Sequence, residues 1–163
     1  MTSTLFDLAF YCAAPFWLLM ILAPRWHWTL RIVRSPLTVL PVLLVYLALA
    51  LPVLPELWAA VRSPSLAGFQ ALMVMPDGAG AIWAQVIAWD LLLGQWMFLE
   101  ARRLGLHPLL MGPLLVLTVL LSPIGLLIFL VLRAVRTARR RADGYRSTRP
   151  AGPADLHAKG AAG

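Results

Sequence analysis

Charged residues are scarce in this sequence. Asp, Glu, Lys and Arg make up 13% of its 163 positions, whereas hydrophobic residues make up 61%. A soluble domain has roughly 25% charged residues, which cover its surface. A chain with about half that share does not have enough charged side chains to cover a core, so a water-soluble globular domain is excluded. The length also leaves no room for two sizeable domains.

Cysteine and clustered metal ligands are scarce too. A single cysteine, Cys12, excludes an internal disulfide and any Cys-rich metal or redox motif. Gly78 and Gly80 are not followed by the Lys and Ser/Thr of a phosphate-binding loop. The histidines are scattered along the chain without the spacing of metal ligands: His27, His107 and His157. We therefore expect no metal site and no cofactor.

The sequence does have long apolar segments. Four of them approach the roughly 20 residues that a transmembrane helix needs: residues 5–23, 36–53, 81–99 and 109–132. The first has no preceding basic region and no small-residue cleavage site, so we interpret it as a span rather than a signal peptide. Pro123, inside the fourth, is interpreted as a kink. The sequence predicts an all-α polytopic membrane protein, a bundle of four transmembrane helices over residues 1–136.

The composition turns basic after the fourth apolar segment. Arg133 and Arg136 are followed by three consecutive arginines at 139–141 and then by a stretch rich in Gly, Pro and Ala. We expect a basic C-terminal tail at 137–163, disordered beyond about residue 142. The net charge is +7. Because arginines next to a span lie close to anionic headgroups, we expect membrane lipids as partners and no nucleic acid.

The distribution of basic residues also predicts an orientation. With four spans, both termini and the middle loop share one side, which carries nine Lys and Arg against five on the other. The positive-inside rule then favours both termini in the cytoplasm. We expect a bacterial inner membrane, because the sequence has no plastid-type transit peptide and its Ala/Arg/Leu bias fits a bacterial chain. Three arginines in the first loop oppose this orientation. The short apolar segment 66–75 would reconcile the two counts only as a further span; it is too short for one, and we expect it at the membrane interface.

One acidic residue lies in the middle of the third apolar segment. Asp90 is about nine residues, or roughly 13 Å, from its start, near the centre of a hydrocarbon core of roughly 30 Å. Because an Asp at that depth costs about 2.5 to 3.5 kcal/mol on insertion scales, its side chain is expected to face protein or trapped water. A functional carboxyl and a purely structural interhelical hydrogen bond both fit, and we favour the first.

The depth of a residue in the membrane, counted in residues from the start of its helix, predicts partners for Asp90. Tyr46 and Thr118 reach about the same level on neighbouring antiparallel helices, and Ser122 follows Thr118 by one turn. Their hydroxyls can donate to a carboxylate, although Ser and Thr in membrane helices often bond carbonyls of their own helix. Asp7 and Tyr11 share a face of the first helix and predict a polar patch leading towards Asp90.

Helical periodicity places the residues of the third segment on two opposite faces of a helix. Trp83, Ile87, Asp90, Gly94 and Met97 share one face, and Gln85 and Gln95 lie on the opposite side. Gly94 would allow close helix approach or leave space for a ligand, while tryptophans such as Trp89 pack against neighbours or stack on a ligand. The candidate catalytic residues are Asp90 and Tyr46. The candidate binding residues are Gln85, Trp89, Gly94, Gln95, Thr118 and Ser122.

Three segments resemble the neoxanthin-synthase-like family, known in plants as abscisic-acid-deficient-four: APFWLLMILAP (14–24), WAQVIAWDLLLGQWMFLEARRLG (83–105) and LLSPIGLLIFLVLR (120–133). The resemblance covers about residues 6–136. It implies a small four-span protein of plastids or bacteria. Plant members are needed to make neoxanthin from violaxanthin, an epoxide-to-allene isomerisation that needs no redox cofactor.

The resemblance also implies a ligand and roles for residues. Family members commonly have His at the position of Gln85 and Arg at that of Gln95, so Asp90 alone retains an ionisable group. The implied ligand is a carotenoid or another isoprenoid lipid. Asp90 would protonate the epoxide oxygen as the acid of an intramolecular isomerase, with Tyr46 assisting by hydrogen bonding. The alternative is a non-catalytic membrane protein that binds a lipid or pigment, or acts as a scaffold.

Overall fold

A computed structural model describes residues 1–147 of the chain, and the side chains up to residue 142. These residues are almost entirely helical and contain no strand, which confirms the predicted all-α class. The α-helices are α1 (Thr2–Leu22), α2 (His27–Val33), α3 (Leu40–Ala50), α4 (Leu54–Arg62), α5 (Leu66–Val74), α6 (Pro76–Arg103), α7 (Pro108–Leu120) and α8 (Ser122–Ser147). Short 3-10 helices, Pro36–Val39 and Leu51–Val53, flank α3.

Three stretches are long and apolar enough to cross a membrane: α1, the continuous stretch Pro36–Arg62, and α6. Prolines in Pro36–Arg62 lie at the first positions of its successive helical pieces, where a missing N–H costs little. The stretch therefore continues past the predicted end at residue 53. In the centre, α6 packs against both α1 and α3. Its buried alanines, Ala81, Ala84 and Ala88, allow the backbones to approach closely.

The fourth apolar segment is divided into two helices. α7 ends at Leu120 and α8 begins at Ser122, because Leu121 leaves the helical conformation with φ −145° and ψ 68°. The prediction that Pro123 kinks a continuous helix is therefore wrong, since Pro123 lies in the first turn of a new helix. α7 has 13 residues and is roughly 20 Å long, too short for a core of roughly 30 Å. The predicted count of four spans is not confirmed.

α7 and the first turns of α8 pack closely on each other. The Thr118 hydroxyl of α7 lies 3.8 Å from the Met97 sulfur of α6. On its other side Thr118 contacts Gly125 of α8, where a Cβ atom would lie only 2.3 Å from the Thr118 Oγ1. The absence of a side chain at Gly125 is therefore what allows α8 to fold back along α7.

The direction of α8 follows from two contacts with α6. Its first residue, Ser122, lies beside Asp90, and Phe129 packs edge-on against Trp96 with ring centroids 5.4 Å apart. Trp96 is closer than Asp90 to the end of α6 at Arg103, which is where α7 starts. From Pro108 to Phe129, the chain therefore forms a helical hairpin whose second arm runs back towards the end at which α7 starts.

The chain divides into two compact units. The first, Met1–Phe129, contains all the contacts described above. The second begins at Leu130, and its described part is the continuation of α8 to Ser147. The helix thus extends five residues beyond 142, and the rest of the predicted disordered tail lies outside the described residues. The short apolar segment predicted at the membrane interface forms α5, whose side chains are largely exposed.

Candidate functional site

A cavity of about 510 Å³ lies between α1, α6 and the turn that joins α7 to α8. Most of its wall is apolar. Its polar side-chain atoms come from Asp90, Ser122 and the indoles of Trp17 and Trp83. The lining residues are Phe10, Ala13, Trp17, Trp83, Val86, Ile87, Asp90, Val119, Leu120, Leu121, Ser122 and Pro123. An apolar cavity with a few convergent polar groups is the usual form of a small-molecule site.

Asp90 is half-buried and lies beside Ser122. The Ser122 Oγ donates a hydrogen bond to the Thr118 carbonyl oxygen at 2.9 Å. That carbonyl belongs to the last turn of α7, where carbonyls lack helical partners. A hydroxyl has one proton and donates to one acceptor at a time. The Ser122 hydroxyl, which donates to the Thr118 carbonyl, can instead turn to a charged Asp90 carboxylate.

Trp17, which lines the cavity, packs on Gly94 of α6. A Cβ atom on Gly94 would lie 2.3 Å from the Trp17 ring, so the buried indole of Trp17 rests directly on the α6 backbone. Of the two interpretations of Gly94, the structure shows close approach: the space is filled by the protein's own tryptophan. The glycine positions Trp17, and Trp17 in turn lines the cavity.

Trp83 lines the cavity at the other end of the α6 face. Its ring stacks on Phe6 of α1 with centroids 4.9 Å apart and an interplanar angle of 15°. Its Nε1 is the one buried side-chain nitrogen or oxygen that lacks a hydrogen-bond partner among the described residues. Trp83, Ile87 and Asp90 all line the cavity, in agreement with the face predicted from the 3.6-residue period.

The comparison with protein families covers nearly all of the first unit. A family described as ABA DEFICIENT 4-like matches residues 4–129. The chain belongs to this family. The match confirms the resemblance drawn from three segments of sequence, and every residue that lines the cavity lies inside the matched range. No curated protein and no solved structure matches the chain.

In this ABA DEFICIENT 4-like protein, several predicted site residues lie away from the cavity. Tyr46 belongs to α3, which packs on a different side of α6, and it does not line the cavity. Trp89 is 63% exposed on the outer surface of the bundle, and Gln85 is exposed as well. The predicted set therefore does not converge on one site.

Gln95 and Thr118 have partners of their own. Gln95 is 4% exposed, and its Nε2 donates to the Thr38 Oγ1 at 2.5 Å. Thr38 in turn donates to the Ser35 carbonyl at 2.9 Å, so Gln95 holds α6 against the start of the second span. The Thr118 hydroxyl donates to the Leu114 carbonyl of its own helix at 2.8 Å. Asp90 and Ser122 are thus the predicted residues that line the cavity.

The predicted polar patch on α1 is absent from the cavity. Asp7 is exposed and lines a separate shallow groove beside Pro76, while Tyr11 is 68% exposed. The contribution of α1 comes instead from Phe10, Ala13 and Trp17. Sequence reasoning missed these residues, although their spacing of three and four is that of one helical face.

Proposed function

We propose that this ABA DEFICIENT 4-like protein is an intramembrane isomerase acting on an isoprenoid lipid that carries an epoxide, a carotenoid being the substrate class. The observation that supports this most directly is the position of Asp90, a carboxyl in an otherwise largely apolar cavity formed by three parts of the chain. Family membership supports the same reaction type. Membrane lipids surround the first unit, and the proposed location is the inner membrane of a bacterium.

The proposed reaction consists of two proton transfers, one to the substrate and one from it, and needs no oxidant. Asp90 gives its proton to the epoxide oxygen as the C–O bond breaks, and it becomes a carboxylate. The Ser122 hydroxyl then turns from the Thr118 carbonyl to the carboxylate and stabilises the charge. The carboxylate next removes a carbon-bound proton, whose electron pair forms the new double bond. Asp90 is neutral again, and the product is an isomer of the substrate.

The aromatic wall of the cavity suits a conjugated isoprenoid. Trp17, Phe10 and Trp83 present ring surfaces on which an apolar chain packs. They also keep water away from Asp90. In a medium that hydrates charge poorly, an isolated carboxyl is far more stable as the neutral acid than as the anion, and the neutral acid is the form that the first step requires.

Pigment analysis tests this function. The full chain is expressed in bacteria that accumulate an epoxide carotenoid. The pigments are separated by chromatography, and their masses are measured by mass spectrometry. We expect a new pigment with the mass of the epoxide carotenoid and a changed absorption spectrum. An unchanged pigment profile in cells whose membranes contain the folded protein would contradict the proposal.

A second candidate function is pigment or lipid binding without catalysis, including a scaffold role. It is favoured by Gln85 and Gln95, since the first is exposed and the second is engaged by Thr38. No further ionisable side chain therefore reaches the cavity among the described residues. Under this function the purified protein would bind the epoxide carotenoid unchanged. The bound pigment would show the absorption spectrum of the free epoxide carotenoid, and no isomer would form.

A further inference from the structure

A second and larger groove lies at the end of the bundle where α1 finishes and α7 starts. We call it the rim groove. It has a volume of about 860 Å³ and is lined by Ile21, Leu22, Ala23, Pro24, Arg25, Trp26, His107, Pro108, Leu109, Gly112, Pro113 and Val116. Its deep part is apolar, and its polar side chains, Arg25 and His107, come from the loops at its mouth. This division matches an amphiphile with one charged end.

The mouth of the rim groove offers hydrogen-bond donors for an anion. His107 Nδ1 accepts the Leu109 backbone N–H at 3.3 Å, which leaves Nε2 as the protonated nitrogen of a neutral ring. Arg25 is exposed and forms no hydrogen bond or ion pair within the described residues. Arg102 donates a hydrogen bond to the Pro24 carbonyl and thereby anchors the loop that carries Arg25.

The same end of the bundle is strongly positive. Five arginines lie there, in the loops after α1 and at the end of α6, and we call it the arginine-rich end: Arg25, Arg31, Arg34, Arg102 and Arg103. Glu100 is the acidic residue near them and pairs with Arg103 at 3.9 Å. Exposed Trp26 and Trp28 accompany the arginines, as is typical of the headgroup level of a membrane.

We propose that the rim groove binds one anionic phospholipid of the surrounding bilayer. The phosphate lies between Arg25 and His107, and one acyl chain follows α7 along Leu109, Gly112 and Val116. Charge complementarity identifies the headgroup, because both donors at the mouth favour an anion. The groove is separate from the Asp90 cavity, so this site is independent of the proposed isomerase activity.

Gly112 provides a direct test of the acyl-chain position. A Cβ atom there would meet nothing within 4 Å, so Gly112→Leu fills the groove without a clash and raises helix propensity. Purified full-length protein is mixed with phosphatidylglycerol or with phosphatidylcholine, and native mass spectrometry counts the lipids that stay bound. We expect one retained phosphatidylglycerol on the wild type, preferred over phosphatidylcholine, and at least about 10-fold weaker retention in Gly112→Leu.

Arg25→Gln tests the headgroup position, with Arg31→Gln as the matched control. Arg31 belongs to the same end but lies over the Trp28 ring at 5.5 Å and does not line the groove. Loss of a charge-assisted hydrogen bond should weaken phosphatidylglycerol retention about 10-fold in Arg25→Gln, with Arg31→Gln unchanged. Wild-type retention by Arg25→Gln or Gly112→Leu, equal loss in Arg31→Gln, or no preference for the anionic lipid would overturn the proposal.

Discussion

Replacing Asp90 with Asn is expected to lower conversion of an epoxide carotenoid at least about 100-fold, the range in which a general acid contributes. The amide has nearly the shape of the carboxyl, so the cavity is retained. It has no acidic proton to give to the epoxide oxygen. The rate of isomer formation, measured on purified protein in lipid, reports the loss, and thermal unfolding in the same lipid shows whether the variant is folded.

Two further variants make the Asp90 result interpretable. Asp77→Asn is the matched control, because Asp77 accepts a 2.6 Å hydrogen bond from Thr2 Oγ1 at the far end of α6, and we expect unchanged conversion. Ser122→Ala removes the hydroxyl that stabilises the Asp90 carboxylate, and we expect a loss of about 10-fold. If the Asn variant folds and converts at the wild-type rate, Asp90 is not the acid.

Topology reporters should place the two ends of the bundle on opposite sides of the membrane. A reporter inserted near Gly78 is expected to signal the periplasm, and one inserted at Gly105 the cytoplasm. In the first unit the arginine-rich end has five arginines, whereas the other end has Arg62 together with three acidic residues, Asp7, Glu56 and Asp77. The positive-inside rule therefore assigns the arginine-rich end to the cytoplasm.

This orientation differs from the one expected from sequence for the N-terminus. Two cytoplasmic termini followed from four spans, but α7 and the start of α8 form a hairpin whose second arm runs back towards the end at which α7 starts. With three spans, the same rule predicts a periplasmic N-terminus. A cytoplasmic signal near Gly78 with a periplasmic one at Gly105 would contradict this orientation.

The sequence predicted the features that depend on one helix alone. The depth of Asp90 follows from the rise per residue, and the shared face of Trp83, Ile87 and Asp90 follows from helical periodicity. These properties require no knowledge of neighbouring helices, which is why they could be derived before any contact was known.

Features that depend on how helices meet could not be predicted. Tyr46 has the right depth for Asp90, but depth does not give the rotation of α3, which packs elsewhere on α6. Pro123 in an apolar run is compatible with a kinked span as well as with a new helix. The close contact of Gly125 with Thr118 favours the new helix. This contact between two helices cannot be predicted from the sequence.

The central claim is that Asp90 is a neutral acid in a largely apolar intramembrane cavity, with the Ser122 hydroxyl beside it. Infrared difference spectroscopy of the purified protein in lipid at neutral pH tests it without any substrate. We predict the stretching band of a neutral carboxyl that disappears in Asp90→Asn and shifts in Ser122→Ala. A carboxylate band in its place, or a neutral band insensitive to Ser122→Ala, would contradict the account.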